Sequence, residues 1–259
     1  WSSDVCSSDL TLSTPRTGVG SCTDSNVTSE TLSGGATVTG GLVELSQAVT
    51  YPTPTLSATP PTVGTSFGNG GSNVVCPSGI SGATCVRNTT TNTWTVTPVT
   101  PTTIVTMGNV SVSSGYTLQL ASGTYVVNSL TENGSGALGI GSTDVVRIQV
   151  AGAGIADNQA AIDLTGGSIS NPSLQSDHLQ ISYGGTALVK MRGNSTASAL
   201  IYAPNATATL AGGSDLYGAI ITKQVTDMGG MHIHYDRPLQ RTMQTASNPM
   251  MSSFTWKSF

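Results

Sequence analysis

Residues 199–236 have the sequence ALIYAPNATATLAGGSDLYGAIITKQVTDMGGMHIHYD, and this stretch decides the fold class of the chain. Short apolar segments alternate with turns of glycine, asparagine and serine, and no helical apolar period runs through them. Such segments predict four β-strands, at 200–202, 206–210, 216–221 and 232–235. The repetition predicts a stacked β-solenoid or a β-sandwich, because both are built from many short strands joined by turns.

The same alternation of apolar segments and turns extends back to about residue 110. It predicts eight further strands, at 109–112, 117–120, 124–130, 137–140, 145–150, 160–164, 179–183 and 187–191. The spacing from Leu118 to Leu138 fits one rung, meaning one circuit of a solenoid, although later spacings vary. A sandwich would have longer strands and clearer hairpins. We therefore predict an all-β fold, a right-handed parallel β-helix or a solenoid-like domain.

The composition is unusual mainly in its charge, since Asp, Glu, Lys and Arg make up only 8% of the 259 residues. Hydrophobic residues are 37% of the chain and β-branched residues are common, which favours packed β-structure over disorder. The net charge is −4 and the basic residues are scattered singly, so we expect no nucleic-acid partner. No run of about 18 apolar residues occurs, so we expect no membrane span in this chain.

The N-terminal part of the sequence differs from the rest. Residues 1–10, WSSDVCSSDL, resemble a translated sequencing adaptor, and we interpret them as a non-native artefact. Because the chain lacks an initial Met and a signal peptide, we expect its true N-terminus to be missing. Residues 11–102 are predicted to form a Gly/Ser/Thr/Pro-rich β-region with irregular excursions, of which the proline-rich stretch 51–72 is an extended excursion or linker. Residues 103–259 are predicted to form the solenoid domain, with an apolar C-terminal cap.

The cysteines are predicted to form one local disulfide, between Cys76 and Cys85. They lie nine residues apart across a loop that contains proline and glycine. Closing such a loop would stabilise the fold by roughly 2–3 kcal/mol, provided that the compartment is oxidising. Cys22 is then unpaired or pairs with a missing segment. A metal site is the alternative, and the absence of a CxxC motif and of a nearby histidine disfavours it.

The closing sequence HIHYD is the one candidate for a specific site. On a strand, His232, His234 and Asp236 point to the same face. Two imidazoles and a carboxylate there could bind a divalent metal ion. The alternatives are a polar outer face, or a His234–Asp236 pair at the end of the solenoid. No other cofactor is expected.

Enzyme motifs are sparse in this sequence. A glycosidase or polysaccharide lyase needs paired carboxylates or a carboxylate cluster with a basic residue, whereas the acids here are single and distant. A phosphate-binding loop with its lysine is also missing from the sequence, and the serine of Gly166-Gly167-Ser168 has no neighbouring base that could activate it as a nucleophile. We therefore predict a protein without catalytic activity, and keep a carbohydrate-active β-helix enzyme as the alternative.

Three segments resemble a known family: LQLASGTYVVNSLTENGSGALGIGSTDVVRIQVAG, LIYAPNATATLAGGSDLYGAIITKQVT and IHYD. They are similar to the C-terminal β-rich domain of unknown function found in bacterial PilX-type pilus assembly and surface proteins. The similarity covers about residues 117–239, and the YAPNA, GAI and HYD spacing is its most specific part. In that family a prepilin-like leader and a hydrophobic helix precede the β-rich part, which implies that such an anchor has been lost here.

The resemblance implies a secreted or cell-surface β-solenoid with a structural or adhesive role. Association with type IV pilus assembly or with the filament follows from it by analogy, as do surface or pilus subunits as partners. We expect an extracellular or cell-surface location.

Overall fold

The computed structural model describes residues 12–15, 42–45, 51–70, 75–192, 197–212, 215–228 and 232–235. The chain forms two compact units, Trp1–Tyr51 and Pro52–Phe259. In the first unit, strand β1 (Leu12–Pro15) pairs in parallel with β2 (Leu42–Leu45). The predicted cap at 241–259, Cys22 and Asp236 lie outside the described residues.

The described residues of the second unit form strands and one short 3-10 turn at Ser176–His178. Its strands are β3 (Gly64–Phe67), β4 (Ile80–Ser81), β5 (Ala83–Asn88), β6 (Thr93–Pro98), β7 (Ile104–Val112), β8 (Thr117–Leu120), β9 (Gly123–Glu132), β10 (Ala137–Ile140), β11 (Val146–Val150), β12 (Ala160–Leu164), β13 (Ser168–Ser170), β14 (Leu179–Tyr183), β15 (Leu188–Arg192), β16 (Ala197–Ala211), β17 (Asp215–Asp227) and β18 (His232–Tyr235). The described part of the chain contains no helix that is long and apolar enough to cross a membrane.

The strands stack in parallel to form a β-solenoid of about seven rungs, which confirms the predicted fold class. The first side of the solenoid is the sheet of β6, β8, β10 and β13, with β5 antiparallel at its edge. The other two sides are continuous, because long strands bend from one to the other. In β9, for example, Val127 pairs with Val150 of β11 on the second side, and Leu130 pairs with Ile162 of β12 on the third.

We number the rungs along the chain, and each passes the sides in the same order. Rungs 1 to 7 comprise residues 93–112, 117–132, 137–164, 168–192, 197–211, 215–227 and 232–235. Leu118 pairs with Leu138, as the sequence spacing predicted. Later in the chain, Ile148 pairs with Ile181 and Leu216 pairs with Ile233. The number of residues between paired positions on successive rungs therefore varies from 33 to 17. This variation explains why no strict period can be found in the sequence.

Inward-facing apolar side chains fill the bore of the solenoid, as strand alternation requires. In rungs 1 to 4 these include Trp94, Leu118, Tyr125 and Ile148, all almost completely buried. In the part of the chain that the structure describes, the first side ends at β13, which has three residues, and the strands of rungs 5 and 6 lie on the second and third sides. The buried residues of β16 are mostly small, and they include five alanines: Ala197, Ala199, Ala203, Ala206 and Ala208.

Two strands predicted separately, 200–202 and 206–210, are parts of the single strand β16. The register with β17 shifts between Ala203 and Thr207, so Pro204 marks a bend within the strand and does not end it. The solenoid domain was predicted to begin at residue 103, and the solenoid sheets also contain β3 and β6, which lie before it.

Candidate functional site

The predicted histidine site lies on the outer face of the second side, at rungs 6 and 7. In the parallel register of β17 with β18, His232 lies opposite Asp215 and His234 opposite Tyr217. Ile233, between the two histidines, packs against the core, so both histidines face outward. His232 and His234 thus lie on one face of the strand, and the register adds an acid from the neighbouring rung.

The partner of His234 in the structure is Asp215. Nε2 of His234 lies 2.7 Å from Oδ1 of Asp215, and the two side chains are 32% and 41% exposed. The imidazole also stacks on the Tyr217 ring, with centroids 4.7 Å apart and planes 15° from parallel. Among the described residues, no group of three His, Cys, Asp or Glu side chains could hold a metal ion, and Asp236 lies outside them. The metal site remains a prediction, and the geometry present is a histidine–carboxylate pair that links two rungs.

The sequence close to the histidines gives no signal for Asp215 as a partner. Asp215 precedes His232 by one rung, a distance of 17 residues. The apolar neighbours Leu216 and Ile233 were the available signal, since aligning them places Asp215 beside His232.

Glu132 is a buried carboxyl group at the end of β9. It is only 3% exposed, and neither of its carboxyl oxygens has a hydrogen-bond partner. Burial raises the pKa of this carboxyl to about 8; the nearby Leu138 backbone N–H, which does not meet the geometry of a hydrogen bond, lowers the pKa, and Asp163 raises it further. A Cβ on Gly167 would lie 3.0 Å from Oε2 and would collide with the Gly136 carbonyl, so glycine is needed here. The carboxyl is therefore sealed inside the solenoid and largely neutral at pH 7.

Glu132 and Asp163 do not converge on a common substrate position. Asp163 pairs in register with Thr131, so the side chain of Glu132, one residue later, points to the opposite side of the sheet. Asp163 accepts hydrogen bonds from the backbone N–H and the hydroxyl of Thr165, the latter at 2.6 Å. A pair of facing carboxylates, which glycoside hydrolysis requires, is therefore not formed by these two acids.

Asp144 has a similar structural role in the turn after β10. Its carboxylate accepts hydrogen bonds from Ser122 N (2.9 Å), Ser122 Oγ (2.7 Å) and Gly141 N (3.1 Å). These bonds join the turns of two successive rungs. The carboxylate thus satisfies backbone donors that a loop would otherwise leave exposed.

The N-terminal end of the solenoid is covered by the hairpin of β5 and β6. Cys76 and Cys85, the predicted pair, are joined in a disulfide, with their Cα atoms 4.9 Å apart. Trp94 and Phe67 meet edge to face with ring centroids 6.1 Å apart. The guanidinium of Arg87 lies 5.9 Å from the centroid of Trp94 and donates to the Tyr116 hydroxyl. This arrangement closes the apolar bore at rung 1.

Residues 52–63, which we call the strap, run along the outside of the corner between the second and third sides. They have no ladder pairing of their own. Their contacts are with rungs 5, 4, 3 and 1 in turn, through Tyr202, Gly184, Gln149 and Asn109. The stretch predicted as an excursion or linker therefore includes an ordered segment held against the solenoid.

Comparisons with known proteins give one family and no characterised relative. No curated protein and no solved structure matches the chain significantly. The matching family is described as a domain of unknown function (DUF7305), and the match covers residues 84–242. Those residues include all rungs from β6 to β18, and they are more than half of the chain. The chain therefore belongs to this uncharacterised family, DUF7305.

Proposed function

We propose that the protein is a secreted or cell-surface structural module with an adhesive or filament-associated role and no catalytic activity. The main support for the absence of catalysis in this proposal is that three carboxyl groups have structural roles. Asp144 and Asp163 are engaged by their own turns, and Glu132 is sealed inside the bore. In the described rungs, these acids are used to build the solenoid.

Two further features support a location outside the cytoplasm. The Cys76–Cys85 disulfide at the N-terminal end is the kind of cross-link that persists in oxidising compartments. The chain is rich in Thr and Ser, and only 8% of its residues are charged. The association with type IV pili rests on the resemblance of residues 117–239 to PilX-type proteins, and it belongs to the proposal alone.

Immunogold labelling of intact cells of the source organism tests the location and the role together. Antibodies raised against the purified chain should label the cell surface, and label on surface fibres would support the filament role. Label found only inside sectioned cells would overturn the proposal.

Incubation with a panel of polysaccharides tests the alternative, a carbohydrate-active β-helix enzyme. We expect no increase in reducing ends and no unsaturated products. If depolymerisation is measured and persists in Glu132→Gln, the catalytic acids lie elsewhere and the non-catalytic proposal fails. Depolymerisation abolished by Glu132→Gln would also overturn it, and would identify this carboxyl as part of the active site.

A further inference from the structure

The strap is bound to the solenoid in the way that a peptide ligand is bound to a receptor. Its sequence, PTPTLSATPPTV, contains four prolines, each without a backbone N–H, and no charged residue. Such a segment favours an extended conformation and cannot form a regular ladder. Most of its hydrogen bonds are therefore with side chains of the solenoid, which contact its backbone and two of its hydroxyl groups, and the Asn109 backbone N–H donates to the Val63 carbonyl at 2.7 Å.

Two uncharged side chains of rung 5 hold the first half of the strap, and rung 4 approaches it at a glycine. The Tyr202 hydroxyl donates to the Pro52 carbonyl at 2.6 Å. Nδ2 of Asn205 donates to the Thr53 hydroxyl at 3.1 Å and to the carbonyl of Gly184 at 2.9 Å. A Cβ on Gly184 would lie 3.0 Å from the Pro54 carbonyl oxygen, so a glycine lets the strap approach closely at this point.

The second half is held by a glutamine and an asparagine. Gln149 accepts from the Ser57 backbone N–H at 2.6 Å and donates to the Ser57 hydroxyl at 2.9 Å, so this amide makes a two-point contact. Asn109 donates through Nδ2 to the Thr62 carbonyl at 2.7 Å. Its Oδ1 accepts from Asn128, which is itself buried and fixes the orientation of the Asn109 amide. Pro60, between these contacts, is buried.

The receptor and the ligand belong to different parts of the chain. Tyr202, Gly184, Gln149 and Asn109 lie within the family match at 84–242, and the strap lies outside it. The hydrogen bonds to the strap are made by neutral donors and acceptors, which suit an uncharged, extended, proline-rich peptide, because a charged side chain would find no opposite charge among them. No feature of these contacts requires that the peptide be part of the same molecule.

We propose that this corner groove is a docking site for an extended, uncharged, proline-rich segment, and that the partner it takes in trans is the strap of a second copy of the chain. Within one molecule the groove is filled by its own strap. Exchange of straps then links copies without a change in the solenoid, in the manner of domain swapping. This inference stands whether or not the protein is displayed on a cell surface.

Peptide binding to an emptied groove is the first test. In the acceptor variant, residues 52–61 of the full chain are replaced by Gly and Ser in equal number. We expect a fluorescent peptide of residues 50–63 to bind this variant at least ten times more tightly than the wild type, measured by anisotropy. Adding Tyr202→Phe and Gln149→Ala should weaken binding at least tenfold, whereas the matched change Gln119→Ala, on the first side, should not. No binding to a folded acceptor overturns the proposal.

Mixing two variants tests the second copy as the partner. A donor variant carries Tyr202→Phe, Gln149→Ala and Asn205→Ala, so its strap is released from its own groove. Donor and acceptor together should give a species of twice the chain mass on gel filtration, which neither forms alone. Peptide binding without this species would overturn the second copy as the partner.

Hydrogen exchange of the unmodified protein decides the question if the acceptor does not fold. The Ser57 amide should exchange at least 100 times faster than the amides of Leu138 and Ile181, through an opening that leaves the solenoid intact. Equal protection of all three amides would make the strap an integral element and would overturn the proposal.

Discussion

Rungs 1 to 4 and rungs 5 to 6 belong to one solenoid, yet they are packed with different side chains. The early rungs have strands on three sides and contain Trp94, Leu118 and Tyr125 in the bore. Where the structure describes the later rungs, their strands form two sides, and β16 buries five alanines beside Ile201 and Leu210. Protein interiors are packed to nearly constant density. A bore that is enclosed on fewer sides has less volume, so smaller side chains fill it. Small core residues are accordingly more frequent in β16 than in the three-sided rungs.

The largest loss of stability is expected in the three-sided rungs 1 to 4, which we call the wide rungs. Trp94→Ala should destabilise the fold by about 3–5 kcal/mol, because it leaves a cavity between Phe67 and the bore of rung 1. Urea unfolding measures the loss, and Trp94→Phe should recover a good part of it. A loss below about 1 kcal/mol, the usual range of surface changes, would show that the wide rungs do not depend on large side chains.

The burial of Glu132 makes the folding stability of the protein depend on pH. Its folded-state pKa, about 8, is raised above the ordinary value of 4.5, so the stability it contributes is complete below pH 4.5 and is lost as the pH rises through 8. The wild type should therefore be less stable at pH 9 than at pH 5, by an amount on the order of 3 kcal/mol from this group. In Glu132→Gln, thermal unfolding should depend less on pH over this range. An unchanged slope in the variant would contradict the assignment.

Overpacking of the core tests rungs 5 and 6, which we call the narrow rungs. Ala208→Leu adds three carbons to a fully buried position on β16 and should cost about 1–3 kcal/mol. Thr209→Leu is the matched control, since Thr209 is the outward-facing neighbour and should change stability by no more than about 0.5 kcal/mol. If both variants unfold at the same urea concentration as the wild type, the two-sided rungs have spare volume and the contrast between the regions fails.

The smallest effect is expected at the last rungs. His234→Ala removes the contacts with Asp215 and Tyr217, which are partly exposed, so the loss should be about 1 kcal/mol or less. Calorimetry with zinc on the wild type and on the variant also tests the predicted metal site. Heat in the wild type that disappears in the variant would support that site; the absence of heat in both would end it.

The sequence predicted the solenoid because each strand carries its own signal. Alternation along Leu118 and Leu120 and the spacing to Leu138 needed no knowledge of distant residues. The pairing of Asp215 with His234 was less accessible, because it depends on the length of the intervening rung, which varies along the chain. The alternation of Leu130 and Glu132 could have indicated that Glu132 faces inward, although it could not show that both oxygens lack a partner.

The binding of the strap to the solenoid could not be predicted from the sequence either, and the reason is different. Proline-rich segments without alternation have no ladder, and the sequence pattern is the same for a free linker and for a bound peptide. What distinguishes them here are single side chains such as Gln149 and Tyr202, which are 92 and 150 residues away from their partners in the strap. Contacts of that kind have no local signature.

The order of contacts along the strap has a mechanical consequence. The chain enters the second unit at Pro52, which is bound at rung 5, and reaches rung 1 only at Thr62 and Val63. A pulling force applied to the chain before Pro52 would load Tyr202 first, then Asn205, Gln149 and Asn109 in sequence. The strap would lengthen by peeling, one contact at a time, before any tension reached β3 and the core. In a tethered molecule, these few hydrogen bonds would absorb a sudden load while the solenoid stayed folded.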